Sequence, residues 1–205
     1  MSPRPSPSRI LVMLSGGGRT ALNLLDAIDT HTLNARIVHA IASKPCAGAD
    51  RLEARGVSVQ ILPGEISSDT LVSICNHHNA GLVALCGYLR YVHVPERLAG
   101  RILNIHPSLL PKFGGKGSYG HRVHEAVIAA RETISGCTVH EVDNEFDHGP
   151  IILQKSCPVL PNDTPETLAA RVFDLECVAY PEALQLVIDR LVPNSDTSPH
   201  DPTMR

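Results

Sequence analysis

The chain has 205 residues, 43% of them hydrophobic but only 3% aromatic and none of them Trp, enough to bury one core of Val, Ile, Leu and Ala without disulfides or metals. Its net charge of -3 and pI near 6.4 supply no broad basic field, which argues against a nucleic-acid partner held through its phosphates and leaves small molecules as the expected ligands. The six cysteines, at 46, 75, 86, 137, 157 and 177, form no C-x-x-C pair and sit mostly inside apolar runs, as reduced core thiols of a cytosolic protein do.

Residues 1–8, Met-Ser-Pro-Arg-Pro-Ser-Pro-Ser, lack the apolar centre of a signal peptide and are expected to form a disordered lead-in. Residues 193–205, rich in Pro, Ser and Asp, are expected to be a flexible tail, which leaves 9–192 as a single domain. No segment approaches the roughly 18 consecutive apolar residues of a membrane span, so no membrane partner is expected.

Arg9 to Leu14 reads as a short buried strand. It runs into Ser15-Gly16-Gly17-Gly18-Arg19-Thr20 and then the helical pattern Leu22, Leu25, Ile28. A strand, a glycine loop and a helix start make a place where free N–H groups favour a phosphate. The loop is neither G-x-G-x-x-G nor the Walker pattern, and a tight turn without ligand is the competing reading. A strand follows over Ile37 to Ala42, a short helix over Gly48 to Arg55, a strand over Val57 to Leu62, a helix over Ser67 to Asn79 and an apolar strand over Gly81 to Cys86. His77 and His78, at a helix end, receive no role. After Gly87-Tyr88-Leu89-Arg90 and a helical turn near Pro95 to Ala99, Arg101 to Ile105 forms the next strand.

That strand delivers Asn104 and His106. Residues i and i+2 share one strand face, so the amide and imidazole stand together while Leu103 and Ile105 face the other layer. Such a pair can donate to an oxygen that gains negative charge, as an oxyanion site does, or can cap the turn that Pro107 starts. Lys112 to Gly120 holds four glycines in nine residues and reads as a mobile or closely approached loop. It leads into a helix near His121. His121 and His124 share one helical face, but H-E-x-x-H is absent and no metal is expected. Ile134 to Val142 and Ile151 to Val159 read as a hairpin, joined by the turn-rich segment 143–150. Thr164 caps a last helix with Pro165 in its first position, running to about Leu191. The fold class is α/β: a Rossmann-like open, mostly parallel sheet with helices on both faces and one antiparallel hairpin.

Ser15-Gly16-Gly17-Gly18, then Asn104-Ile105-His106-Pro107-Ser108-Leu109-Leu110-Pro111, then Ser135-Gly136-Cys137-Thr138-Val139-His140 with Asp147-His148-Gly149-Pro150-Ile151-Ile152 together resemble the folate-dependent formyltransferases. Within them they look like the branch that formylates glycinamide ribonucleotide (GAR) in purine synthesis. The likeness covers about residues 9 to 190. A single domain looks like that branch, whereas the relatives that formylate methionyl-tRNA carry an extra C-terminal domain and the deformylating ones an extra N-terminal one. The resemblance implies Asn104, His106 and Asp147 as the catalytic trio. It places the GAR phosphate on Gly17, Gly18, Arg19 and Thr20 and the acceptor amine near Glu176. It lays the folate against Leu89, Arg90, Tyr91 and Val92 and the 140–147 loop, with His140 and Glu141. 10-Formyltetrahydrofolate would be the co-substrate, with no tightly bound cofactor and no metal, in a cytoplasmic monomer or homodimer.

Three features depart from the common family pattern. Arg19-Thr20 stands where Ser-Asn is usual, so a guanidinium takes part of the phosphate contact or the pocket differs. The loop after Pro111 resembles a longer variant, with Lys116 near the phosphate or the folate's glutamate tail. Cys177 follows Glu176 where many relatives have His. Alternative readings are formylation of another amine, such as an amino sugar nucleotide, and a non-catalytic nucleotide- or folate-binding module.

Overall fold

A computed structural model describes residues 6–191. Of the expected lead-in, residues 1–5 lie outside the described residues, as does the whole of the expected tail. The first strand, β1, spans Ser8–Leu14 and so begins one residue earlier than expected, because Ser8 already pairs with the second strand at Ala35.

The other elements are α1 (Arg19–Asp29), β2 (Ala35–Ala42), α2 (Ala47–Ala54), β3 (Val59–Ile61), α3 (Ser68–His77), β4 (Leu82–Leu85), a 3-10 turn (Glu96–Leu98), β5 (Ile102–His106), α4 (His121–Ala129), β6 (Ile134–Glu141), β7 (Ile151–Pro158) and α5 (Pro165–Leu191). The seven strands lie in the order β3-β2-β1-β4-β5-β6-β7. The first five are parallel, while β5-β6 and β6-β7 pair antiparallel. Strand order reverses between β1 and β4, so their carboxyl ends open the crevice where such sheets bind ligands.

Both faces of the sheet are covered, which is why β1 and β4 read as unbroken apolar runs. Ile10, Val12 and Leu14 face one core layer with α1, α2, α4 and α5. Leu11 and Met13 face a smaller one with α3 and the 88–98 segment. In α1 the fully buried line is Ala21, Leu24 and Ala27. The larger Leu22, Leu25 and Ile28, from which the sequence predicts the helix, flank it half-buried; small alanines let the helix axis approach the sheet. In α5, Thr164 caps as expected, accepting from Thr167 N at 3.3 Å, and the helix continues through Pro181. A proline has no N–H for the carbonyl one turn back; here that carbonyl, Cys177 O, accepts from Asn23 Nδ2 of α1 at 2.9 Å instead. Among the described residues no helix is long and apolar enough to cross a membrane.

Candidate active site

The site grows from the end of β5. Leu103 and Ile105 pack into the layer under α5, so Asn104 and His106 emerge on the opposite face, as the strand period requires. The antiparallel register of β6 then sets His140 beside Asn104 and Thr138 beside His106. The third member comes from the loop after β6: Asp147 sits at φ 54, a left-handed conformation that Asp tolerates better than most side chains, which turns its carboxylate back toward β5.

The contacts are close. His106 Nδ1 lies 3.4 Å from Asp147 Oδ2, and His106 Nε2 donates to the Phe113 carbonyl at 2.9 Å. Asn104 Nδ2 directs one hydrogen at His140 Nε2, 3.2 Å away, and the other at Asp147 Oδ1, 3.4 Å away. His140 Nδ1 donates to Glu141 O at 2.8 Å, which fixes the ring. Gly115 N–H donates to Asp147 Oδ2 at 3.0 Å. The glycines of the 112–120 loop make this possible: a Cβ on Gly114 would stand 2.5 Å from Leu110 Cδ2 and 3.2 Å from Asp147 Cβ. The trio expected from the sequence is therefore one hydrogen-bonded cluster with His140 as a fourth member. His140's place depends on the β6 register, which one strand's sequence does not carry.

Burial and charge oppose each other here. For Asp147, burial alone would raise the pKa, but the neighbouring His140 and His106 and the Gly115 N–H outweigh it and hold the carboxyl below its usual range. For His106, burial pulls the imidazole below its usual value, against Asp147 and the Phe113 carbonyl, which favour the charged ring. The carboxylate is thus ionised and the imidazole poised to take a proton when more negative charge arrives.

Asn104, His106, His140 and Asp147 form one wall of a cavity of about 420 Å³, which Leu89, Arg90, Tyr91 and Val92 also line, together with Lys116. That volume suits a drug-sized organic ligand. Its two flanking loops are fastened to each other: Tyr91 Oη donates to Asn144 O at 2.7 Å, and Val94 N to Asn144 Oδ1 at 3.1 Å. Ser15 Oγ accepts from Leu89 N at 2.8 Å, which ties the glycine loop to this wall. Glu141 departs from expectation. It is absent from the cavity lining, and its carboxylate lies instead against Gly100, because the strand period that turns His140 inward turns its neighbour away.

Gly17, Gly18, Arg19, Thr20 and Glu176 also lie outside this cavity, with Arg19 near enough to Glu176 to act on its charge. Gly18 is the N-cap of α1 with φ 74 and no side-chain cap bond, so the first-turn N–H groups of α1 face outward for an anion. Gly18 also has a packing reason: a Cβ there would stand 2.7 Å from the Cα of Gly48 in α2. The Arg19 guanidinium rests 3.8 Å over the Phe173 ring, which carries it toward Glu176 one turn along α5. Burial pushes Glu176 up to about 7, with Arg19 pulling the other way.

Among the described residues no group of three or more His, Cys, Asp or Glu side chains is arranged to hold a metal. His121 lies 3.3 Å from Glu125 and 3.4 Å from Glu166, while His124 is buried with Nδ1 unpartnered. All six cysteines are free, four buried and Cys46 and Cys177 half-buried.

Comparison with known proteins bears on what this geometry serves. The family model described as Formyl transferase matches residues 8–184. The chloroplastic phosphoribosylglycinamide formyltransferase of Arabidopsis thaliana is 34% identical over 201 residues, 93% of this chain and 69% of that protein. The chloroplastic enzyme of the same name from Vigna unguiculata is 37% identical over 201 residues, 93% of this chain and 64% of its own length. Among solved structures, glycinamide ribonucleotide transformylase 1 from Symbiobacterium toebii superposes with a TM-score of 0.82 at 32% identity, covering 95% of this chain and 94% of that one.

Proposed function

The chain belongs to the formyl transferase family, and from that premise we propose that it transfers the formyl group of 10-formyltetrahydrofolate to the amine of glycinamide ribonucleotide in purine biosynthesis. One observation carries the reading: Asn104, His106 and Asp147 meet at the wall of a cavity of about 420 Å³. The folate lies in that cavity against Leu89 to Val92 and His140. The GAR phosphate takes the N–H groups of Gly17 to Thr20 and the positive field of Arg19, and Glu176 orients the acceptor amine.

The amine nitrogen attacks the formyl carbon, and the carbonyl oxygen becomes an oxyanion. Asn104 meets it by exchanging its longer bond, the 3.4 Å one to Asp147 Oδ1, for a shorter charge-assisted one. His106 takes up a proton from solvent as this second negative charge grows beside it, turns Nε2–H from the Phe113 carbonyl to the oxyanion, and gives that proton back to solvent when the carbonyl re-forms. Asp147 holds the imidazolium and a water that carries the proton from the attacking nitrogen to N10 of the folate. The C–N10 bond then breaks, giving formylated GAR and tetrahydrofolate. The transfer is direct, needs no covalent enzyme intermediate, and uses no tightly bound cofactor or metal. The protein works in the cytosol as a monomer or homodimer.

A panel of acceptor amines with 10-formyltetrahydrofolate tests the choice of substrate. GAR should be formylated with a kcat/KM at least about 100-fold above that of an amino sugar nucleotide, since the site's buried polar groups are matched to one acceptor. Equal use of both acceptors would overturn the assignment.

A further inference from the structure

The bonds that hold His106 and Asp147 begin outside the cavity, on the edge strand β7. Gln154 lies opposite Thr138 of β6. Its stem is exposed to solvent, but its amide reaches inward, where Nε2 donates to Thr138 Oγ1 at 2.8 Å and to the Leu110 carbonyl at 3.0 Å. Thr138 Oγ1 donates in turn to Ser108 O at 2.6 Å and accepts from Leu110 N at 3.0 Å. One proton given and two lone pairs used saturate that hydroxyl. Together the amide and the hydroxyl hold the Ser108 carbonyl and both the N–H and the carbonyl of Leu110, just past His106-Pro107.

The bracing continues down the chain. Ser108 Oγ donates to Lys112 O at 2.6 Å. The next carbonyl, Phe113 O, accepts from His106 Nε2, and the Gly115 N–H meets Asp147 Oδ2. Segment 108–115 thus leaves His106, is pinned by Thr138 and Gln154, and returns to touch both His106 and Asp147. Neither Thr138 nor Gln154 lines the cavity.

We propose that Gln154 is a positioning residue for formyl transfer: acting through Thr138 and segment 108–115, it sets the orientation of the His106 ring and the Asp147 carboxylate. This rests on the catalytic reading of those two residues. Without the amide, Leu110 O and one lone pair of Thr138 lose their donor, and the segment that supports both groups gains play. Misplacements of about 1 Å cost on the order of 10²-fold in rate, whereas an exposed edge-strand side chain without such a task is usually neutral.

The test uses the full-length protein and Gln154→Met, which keeps length and shape but removes the donor, together with Thr138→Val and the double variant. Steady-state kinetics with 10-formyltetrahydrofolate and GAR are read beside the ¹H–¹⁵N resonances of the His106 ring in ligand-free protein. Gln154→Met should lower kcat about 10-fold, change either KM by less than about 2-fold and move the His106 ring resonances. The double variant should be no slower than Thr138→Val alone, as members of one network behave. Wild-type kcat with unmoved ring resonances would overturn the proposal, as would losses that add in the double variant. If the wild-type protein transferred no formyl group, the functional reading would fail separately, and the ring resonances alone would decide for Gln154: moved in its favour, unmoved against it.

Discussion

Each nitrogen of the His106 ring faces an acceptor, Phe113 O on one side and Asp147 Oδ2 on the other, so its hydrogen bonds are complete only in the doubly protonated form that burial resists. Asp147 is the foremost group pulling back toward charge. Asp147→Asn should therefore lower the His106 pKa further and reduce kcat about 10²-fold or more; a ¹⁵N titration of the ring beside steady-state rates checks both. An unshifted ring pKa would separate the two residues. The sequence alone pairs Asn104 with His106, because period two is a local property. Asp147 is legible only through the family resemblance, since Asp before His-Gly is an ordinary turn. His140's bond to Asn104 and the clamp on Thr138 are cross-strand facts that spacing cannot express. Glu141 fails as a lining residue for the same local reason that makes His140 one.

Among elements, the glycine loop shows how one residue type meets two demands. Gly16 O accepts from Gly48 N at 3.0 Å, and a Cβ on Gly48 would stand 2.5 Å from Gly16 O and 2.7 Å from Gly18 N, so α2 packs backbone to backbone on the loop that opens α1. Gly48→Ala should push that loop out of place and raise the KM for GAR about 10-fold or more while kcat falls much less. Steady-state kinetics at varied GAR, with a melting curve to confirm folding, measure it; an unchanged KM would detach the loop from the phosphate. Gly16 and Gly17 meet little or nothing at their Cβ positions, so packing does not explain them, whereas the close approach of a phosphate, as proposed, would. The elements themselves are largely legible in sequence. β1, β4 and α5 carry strong signals in an apolar run, a second apolar run and a Thr-Pro start. What is missing is the core-facing line of α1, because Ala21 and Ala27 give a weaker apolar signal than their Leu neighbours.

Across the whole molecule, buried His124 and half-buried Glu176 titrate in opposition. His124 is pushed down to about 4 by burial, with His121 and His106 adding to it, so the unfolded chain binds the extra proton between about 4 and 6.5 and stability rises with pH there. Glu176 is pushed up to about 7, so the folded chain binds the extra proton from its ordinary carboxyl range up to about 7 and stability falls with pH in that window. Glu176→Gln removes only the second effect. The variant should gain stability relative to wild type as pH rises from 5 to 8, read by urea unfolding at both values; a constant difference would mean that desolvation does not raise the Glu176 carboxyl.

The same sheet edge carries the loops after β1, β4 and β5, and this common placement, more than any single residue, is what makes formyl transfer between two bound ligands geometrically possible. The most direct measurement follows a ¹³C-labelled formyl group from 10-formyltetrahydrofolate by NMR in the presence of GAR, with wild-type protein and Asn104→Ala. The expected result is label appearing on the GAR amine with wild type and about 10² to 10³-fold more slowly with the variant, the usual cost of one lost oxyanion donor. Label that stays on the folate with wild-type protein, or that moves equally fast with the variant, would contradict it.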